Sequence, residues 1–339
     1  MRIKQSHRRI IARLAAIVIA GVVVVAAYTA PAALLPGPII FKAGVADPVD
    51  TVLALYLARS ARLYDAQGLW VDILDMNGGS RGAEELQAGQ IDVMHVGLSS
   101  VVHVNHSGGD LRIVGALGKV LPSTLFAAPS VKSAADLKGA ALGVSAFGSE
   151  SDSVVTLALQ RFGLSRNDVT IKEVGDAAAR LAALRAGAIK ATPLDQPVAA
   201  LARQDGMTVL LDFVPEQMPW LFAGIAVRHD DIAARRELLA RFLRASIEGS
   251  YMALADDKKA KDVLAKELKI TSAKILDATY DDFKAQTPQN LEPSVAGVQN
   301  VLKLFPDVSQ NASDYVDLSL LDAFKDQGFF AAMETKYKR

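Results

Sequence analysis

Leu86-Gln87-Ala88-Gly89-Gln90-Ile91-Asp92 and Leu184-Arg185-Ala186-Gly187-Ala188-Ile189-Lys190 stand 98 residues apart and read alike. Each closes an Ala-rich helical run with a glycine, which takes the left-handed conformation of a helix end without steric cost, and each then enters a short apolar stretch. The strands are expected at Ile91–Val96 and Ala188–Ala191, followed by the loops Gly97-Leu98-Ser99-Ser100 and Thr192-Pro193-Leu194-Asp195-Gln196-Pro197. A helix, strand and loop that recur once per half predict two similar α/β lobes facing each other across a cleft lined by the loops.

The pattern extends outward from both copies. Ile39–Val45, Trp70–Met76 and Leu111–Leu117 read as strands in the first half, with Val52–Tyr64, Arg81–Ala88 and Ser99–Asn105 as helices. In the second half Ala141–Ser145, Val169–Val174 and Thr208–Phe213 read as strands, with Asp152–Phe162, Ala177–Ala186 and Val198–Gln204 as helices. Strands separated by helices of this length predict mostly parallel sheets with helices on their faces. Ser123–Ala128 and Leu221–Val227, each next to a proline, read as crossings between lobes. Beyond Arg228 five helical stretches follow, 232–255, 258–268, 272–283, 295–304 and 318–325. They predict a helical tail on the first lobe, so the lobes are expected to comprise 39–122 with 221–339, and 123–220.

Residues 1 to 32 carry five of the 37 basic residues and none of the 37 acidic ones, around an apolar run from Leu14 to Ala27 and the small-residue pattern Ala30-Pro31-Ala32. The run is shorter than the roughly 20 residues of a membrane span and fits a cleaved secretory signal, with an uncleaved anchor as the alternative. Without these residues the chain is at −5, unlike a nucleic-acid surface, which needs a basic face to displace counterions. The absence of cysteine removes disulfides, thiolate metal sites, cysteine nucleophiles and a lipid anchor on an amino-terminal cysteine.

The most specific local stretch is Asp136-Leu137-Lys138-Gly139, a short strand, and then Ala146-Phe147-Gly148-Ser149-Glu150-Ser151-Asp152 opening a helix. Free amides at such a helix start can hold polar or anionic oxygens, although Ser149, Ser151 and Asp152 also serve as ordinary caps, as do Asp50 and Thr51. His95, His103 and His106 have a spacing that could hold a metal for a hydrolase. No Gly-x-Ser-x-Gly elbow with a placed partner is present.

The order of these elements, with Asp-Leu-Lys-Gly before a strand and Gly-rich loops after the first strands, resembles the periplasmic solute-binding proteins of ABC importers over about residues 40 to 290. Within them it is similar to the nitrate, sulfonate and taurine group (SsuA/NMT1/THI5-like), which shares a fold with thiamine-pyrimidine precursor binders. That resemblance implies a type II two-lobed fold, each lobe a mixed, mostly parallel sheet flanked by helices, with a helical tail. It implies ligand contacts at Asp47 and Asp50, at Gly79, Ser80 and Arg81, and at Gly97 and Ser99. In the second lobe the contacts fall at Phe147, Ser149, Glu150 and Ser151, and at Asp195 and Gln196, with Trp220 as an aromatic wall.

Arg81, the one cation of this set, would pair with a sulfonate, carboxylate or nitrate, whereas Asp50, Glu150 and Asp195 favour an amine, a zwitterion or a neutral heterocycle. The implied role is a monomeric periplasmic carrier that uses no cofactor and delivers a small organic solute to an ABC permease. The enzymatic branches of the resembling families depend on cysteine, which this chain lacks. A membrane-anchored ligand sensor is the alternative, and a His95/His103/His106 metal hydrolase a further one.

Overall fold

The computed structural model describes residues 37–338. The leader or anchor expected at residues 1 to 32 lies outside them. Ten strands form two five-stranded sheets on one plan. The first sheet takes β1 (Ile39–Val45), β2 (Leu69–Asp75), β3 (Val93–Val96), β4 (Leu111–Val120) and, from much later in the chain, β10 (Pro219–Arg228), in the order β2-β1-β3-β10-β4. The second takes β5 (Thr124–Ala127), β6 (Ala141–Val144), β7 (Thr170–Glu173), β8 (Ala191–Leu194) and β9 (Thr208–Asp212), in the order β7-β6-β8-β5-β9. In each, four strands run in one direction and one strand, β10 in the first sheet and β5 in the second, enters antiparallel between the third and the fourth.

The stretches read as crossings, Ser123–Ala128 and Leu221–Val227, are therefore mainly these inserted strands. The peptides that change sheet are 121–123 and 213–218. They lie side by side, with the Leu121 amide donating to Met218 O and the Phe213 amide to Ser123 O, both at 3.1 Å.

Helices connect the strands: α1 (Leu53–Ser60), α2 (Leu63–Ala66), α3 (Gly79–Gln87), α4 (Leu98–His106), α5 (Glu150–Arg161), α6 (Ala177–Arg185) and α7 (Val198–Gln204). The 98-residue repeat is the matching ends of α3 and α6. Gly89 and Gly187 have φ of +75° and +73°. Around them Gly89 N–H reaches Leu86 O and Gln90 N–H reaches Glu85 O, and Gly187 and Ala188 repeat both bonds to Leu184 and Ala183. This is the Schellman arrangement, and in both copies it ends the helix ahead of the strand, β3 or β8.

The expected strand at Ala188–Ala191 is shifted: β8 contains Thr192, Pro193 and Leu194, which were read as loop. Proline is tolerated in this central strand because pairing with β6 ends at Ala191, so no ladder partner needs its missing N–H. There the Thr192 hydroxyl donates to Gly143 O at 2.9 Å.

The tail comprises α8 (His229–Ala234), α9 (Arg236–Ala255), α10 (Asp257–Glu267), α11 (Ala273–Gln286), α12 (Val295–Leu302), α13 (Ser319–Asp326) and α14 (Phe329–Lys336), the last not anticipated from sequence. It packs on first-sheet elements. Phe242 stacks on Phe41 and Tyr64 at 4.9 and 5.2 Å between ring centres, and Tyr64 hydrogen-bonds Ser246 at 3.0 Å. Gly249 lets α9 approach α1 closely, since a Cβ there would collide with Ala54 O. Val316 adds a short parallel bridge to Ile113, and Leu291 O accepts from the Ala116 amide, so the tail also covers the outer edge of β4.

Candidate functional site

The carboxyl ends of both sheets point at one cavity, the usual place for a ligand in sheets of this topology. β1 delivers Asp47, β2 leads to Gly79, and β3 delivers His95 and Gly97. From the second sheet β6 delivers Ser145, β8 delivers Asp195, and the starts of α5 and α6 supply Glu150 and Arg180. The space open to the centre of a water-sized sphere is about 40 Å³. One water needs about 10–15 Å³ on that measure, so this closed shape holds a few waters or one small head group.

Six of the sequence-derived contacts line the cavity: Asp47, Gly79, Gly97, Glu150, Ser151 and Asp195. Asp50 sits behind it, fully buried. It is not a helix cap, and its carboxylate accepts from Gln286 of α11 at 2.5 Å. Ser80 donates to Phe147 O at 2.8 Å, a direct bond between loops of the two lobes, whereas the Phe147 ring is 47% exposed. Ser149 is the α5 cap, accepting from the Asp152 amide. Trp220 is a buried support, its indole N–H donating to Glu150 Oε1. Gln196 and Ser99 do not line the cavity.

Arg81 is a correction. The buried side of α3 carries Ser80, Gly82, Ala83 and Leu86, which turns Arg81 out to solvent, and it does not line the cavity. The cavity's cation is Arg180, which sequence reading missed. Only 1% exposed, it donates to Gly175 O at 2.9 Å and stands 3.6 Å from Asp47 Oδ2, with Nε unpaired. The available signal was an arginine in the apolar stripe Ala177, Leu181, Leu184 of an Ala-rich helix; long cations are rarely buried there without a partner.

Burial dominates the acid–base character of the site. It pushes Asp47 up to about 7 against the opposing pull of Arg180, and Glu150 up to about 7 against the Trp220 hydrogen bond and the nearby Ser99 amide and hydroxyl. Asp195 is also raised by burial, opposed by the Ser123 hydroxyl and Arg180. Behind the cavity, burial and Asp282 raise Asp50 well above the usual carboxylate range. His95, 3% exposed, is driven down to about 4 and is neutral; its Nε2 lies 3.0 Å from the Thr51 hydroxyl. Asp47 Oδ1, His95 Nδ1 and Ser100 Oγ lack hydrogen-bond partners, although most buried polar atoms have one.

The three histidines do not converge. His95 faces the cavity, His106 is exposed on α4, and the His103 ring packs under Gly148, where a Cβ would collide with it. Among the described residues no group of three His, Asp or Glu side chains is placed to hold a metal.

Two mixed sheets of matching topology, flanked by helices and joined by paired crossings, define the two-lobed type II fold of periplasmic binding proteins. A protein of Bordetella bronchiseptica RB50 shares it at a TM-score of 0.75 and 21% identity, over 85% of this chain and 97% of that one. The alkanesulfonate-binding protein SsuA of Xanthomonas axonopodis pv. citri, bound to MOPS, shares it at 0.64 and 19%, over 87% and 94%. The chain belongs to the NMT1/THI5-like family, whose model matches residues 50–260. A curated relative, the riboflavin-binding protein RibY of Chloroflexus aurantiacus, is 29% identical over 170 residues, 49% of this chain and 47% of RibY. This chain thus spans about half the length of that relative.

Proposed function

We propose that the chain is the extracytoplasmic solute-binding component of an ABC importer, which closes its lobes, 39–122 with 221–339 and 123–220, over a small organic solute and presents it to a permease. The observation that carries this is a cavity walled by the strand ends of both lobes and lined by buried polar atoms that lack partners. Closure is a hinge motion about 121–123 and 213–218, and a ligand touching both walls shifts the population to the closed form. Binding requires no bond to be broken, and the site's acids serve as acceptors. Among the described residues no helix is long and apolar enough to cross a membrane.

The nitrate, sulfonate and taurine-type cargo implied by the sequence resemblance, and the flavin named for RibY, are the solute classes to test first. Scattering and thermal unfolding of the purified protein across sulfonates, amino acids, amines, pyrimidines and flavins test the reading. A bound solute at about 100 times its dissociation constant stabilises by about 2.7 kcal/mol and contracts the particle. Stabilisation by no solute, with none retained from cells, sinks the proposal.

A further inference from the structure

The cavity is lined by more carboxyl groups than cations. Asp47, Glu150 and Asp195 line it, against the single guanidinium of Arg180. Two of the acids already have compensation. Arg180 stands beside Asp47, and Glu150 is held by Trp220 while facing Gly97 and Ser99 at the N-terminus of α4. No contact to Glu150 Oε2 meets full hydrogen-bond geometry, yet the Ser99 amide and hydroxyl lie close enough to favour its charge. A free N-terminus of this kind is an anion seat, and here the protein's own Glu150 carboxylate occupies it. Asp195 has only the Ser123 hydroxyl and the more distant field of Arg180.

The unpaired atoms point the same way. Asp47 Oδ1 is an acceptor, the buried Ser100 Oγ can be one, and neutral His95 presents Nδ1, whereas Arg180 Nε is the one obligate donor without a partner. A ligand rich in N–H donors would satisfy Asp47 and can use the serine and the imidazole as acceptors; an oxyanion would find Arg180 Nε as the one obligate free donor, the ambivalent Ser100 and His95 groups, and three carboxyl groups.

Granting the carrier reading above, we propose that the cleft selects a small organic cation, an ammonium or amidinium head group seated between Asp195 and Asp47, and rejects oxyanions. Arg180 then acts as a built-in counter-charge that keeps the unliganded site from excess repulsion. The charged groups facing the acids are Arg180, Asp75, Asp176 and Asp195 around Asp47, and Asp195 around Glu150. Lowering the pH protonates these carboxyls and so weakens a cation, whereas it would strengthen an anion.

The test is calorimetry and thermal unfolding of the full chain with methylguanidinium, acetamidinium and propylammonium against methylurea, nitrate and methanesulfonate. At least one cation binds, methylurea binds at least about tenfold more weakly than methylguanidinium, and the anions do not register. Affinity for the bound cation rises between about pH 5.5 and pH 8, and Asp195→Asn weakens it by about 30-fold or more. Unliganded Asp195→Asn is melted in parallel, and if it does not fold, Asp47→Asn, the other wall of the seat, replaces it with the same expectation. Binding of nitrate or methanesulfonate in place of the cations, or tighter binding at low pH, overturns the charge assignment and leaves the carrier reading standing. Silence from all six probes overturns the assignment too; the carrier reading falls only if the wider solute screen is also blank.

Discussion

The two lobes share one strand plan yet are built to different weights. In the first sheet β1, β2, β4 and β10 have seven to ten residues, whereas every strand of the second has four or five. The first lobe also carries the tail helices, while edge strand β7 of the second is largely exposed. The site divides the other way. The heavier lobe contributes mainly loop backbone, a neutral histidine and Asp47, and the lighter one brings Arg180, Glu150 and Asp195. The same topology therefore carries mostly backbone and neutral groups on its longer-stranded side and most of the site's ionisable groups on its shorter-stranded one.

The largest test of that contrast is Phe242→Ala, which empties the stack on Phe41 and Tyr64. It is expected to cost about 3–5 kcal/mol in urea unfolding, because the tail is part of the first core. Arg180→Ala should cost about 3 kcal/mol by stranding Asp47, whereas Arg81→Ala should stay within about 0.5 kcal/mol and leave ligand affinity unchanged. Equal effects of the two arginines would erase the distinction between them.

Stability should also depend on pH. The folded pKa of both Asp47 and Glu150 is raised to about 7 from ordinary values of 3.8 and 4.5. The folded state therefore binds more protons than the unfolded one across that window. The resulting stability is fully present below the ordinary values and is lost as pH rises through about 7, so Tm is higher at about pH 5 than at about pH 8. Glu150→Gln should flatten part of this slope in thermal scans. The smallest change is Ser80→Ala, which removes the bond to Phe147 O between the lobes. It should shift closure by about 1 kcal/mol, read as a several-fold weaker dissociation constant with unfolding nearly unaltered.

Much of the architecture was legible because its signals are local. The glycine-capped ends of α3 and α6 impose the same turn wherever they occur, and the tail helices follow their own apolar period. The β8 boundary was not, because Pro193 reads as a strand breaker until the neighbouring ladder is known to stop at Ala191. Loop residues such as Asp47, Glu150 and Asp195 came from the family resemblance, which implies contacts in the loops after the first strands, and the structure places all three on the cavity wall. Arg180 could not be placed, since its partner Asp47 lies in the other lobe, and Arg81 was misplaced because a helix's first turn gives no indication of which side faces the core until its neighbours' burial is known. Asp50 read as a cap for a similar reason: Gln286, which claims it, comes from the far end of the chain.

The paired crossings carry one more consequence. Val120 lies opposite Pro219 and Thr124 opposite Asp212, so β4–β5 and β9–β10 run as a two-stranded antiparallel ribbon through both sheets. Such a ribbon flexes readily out of its plane and resists shear within it, so one axis of swing is soft and sideways slip is stiff. It also means that the smaller half is spliced into what would otherwise be a plain hairpin. Joining Val120 to Pro219 through a tight turn should leave the larger half able to fold alone, with its share of the binding surface open to solvent.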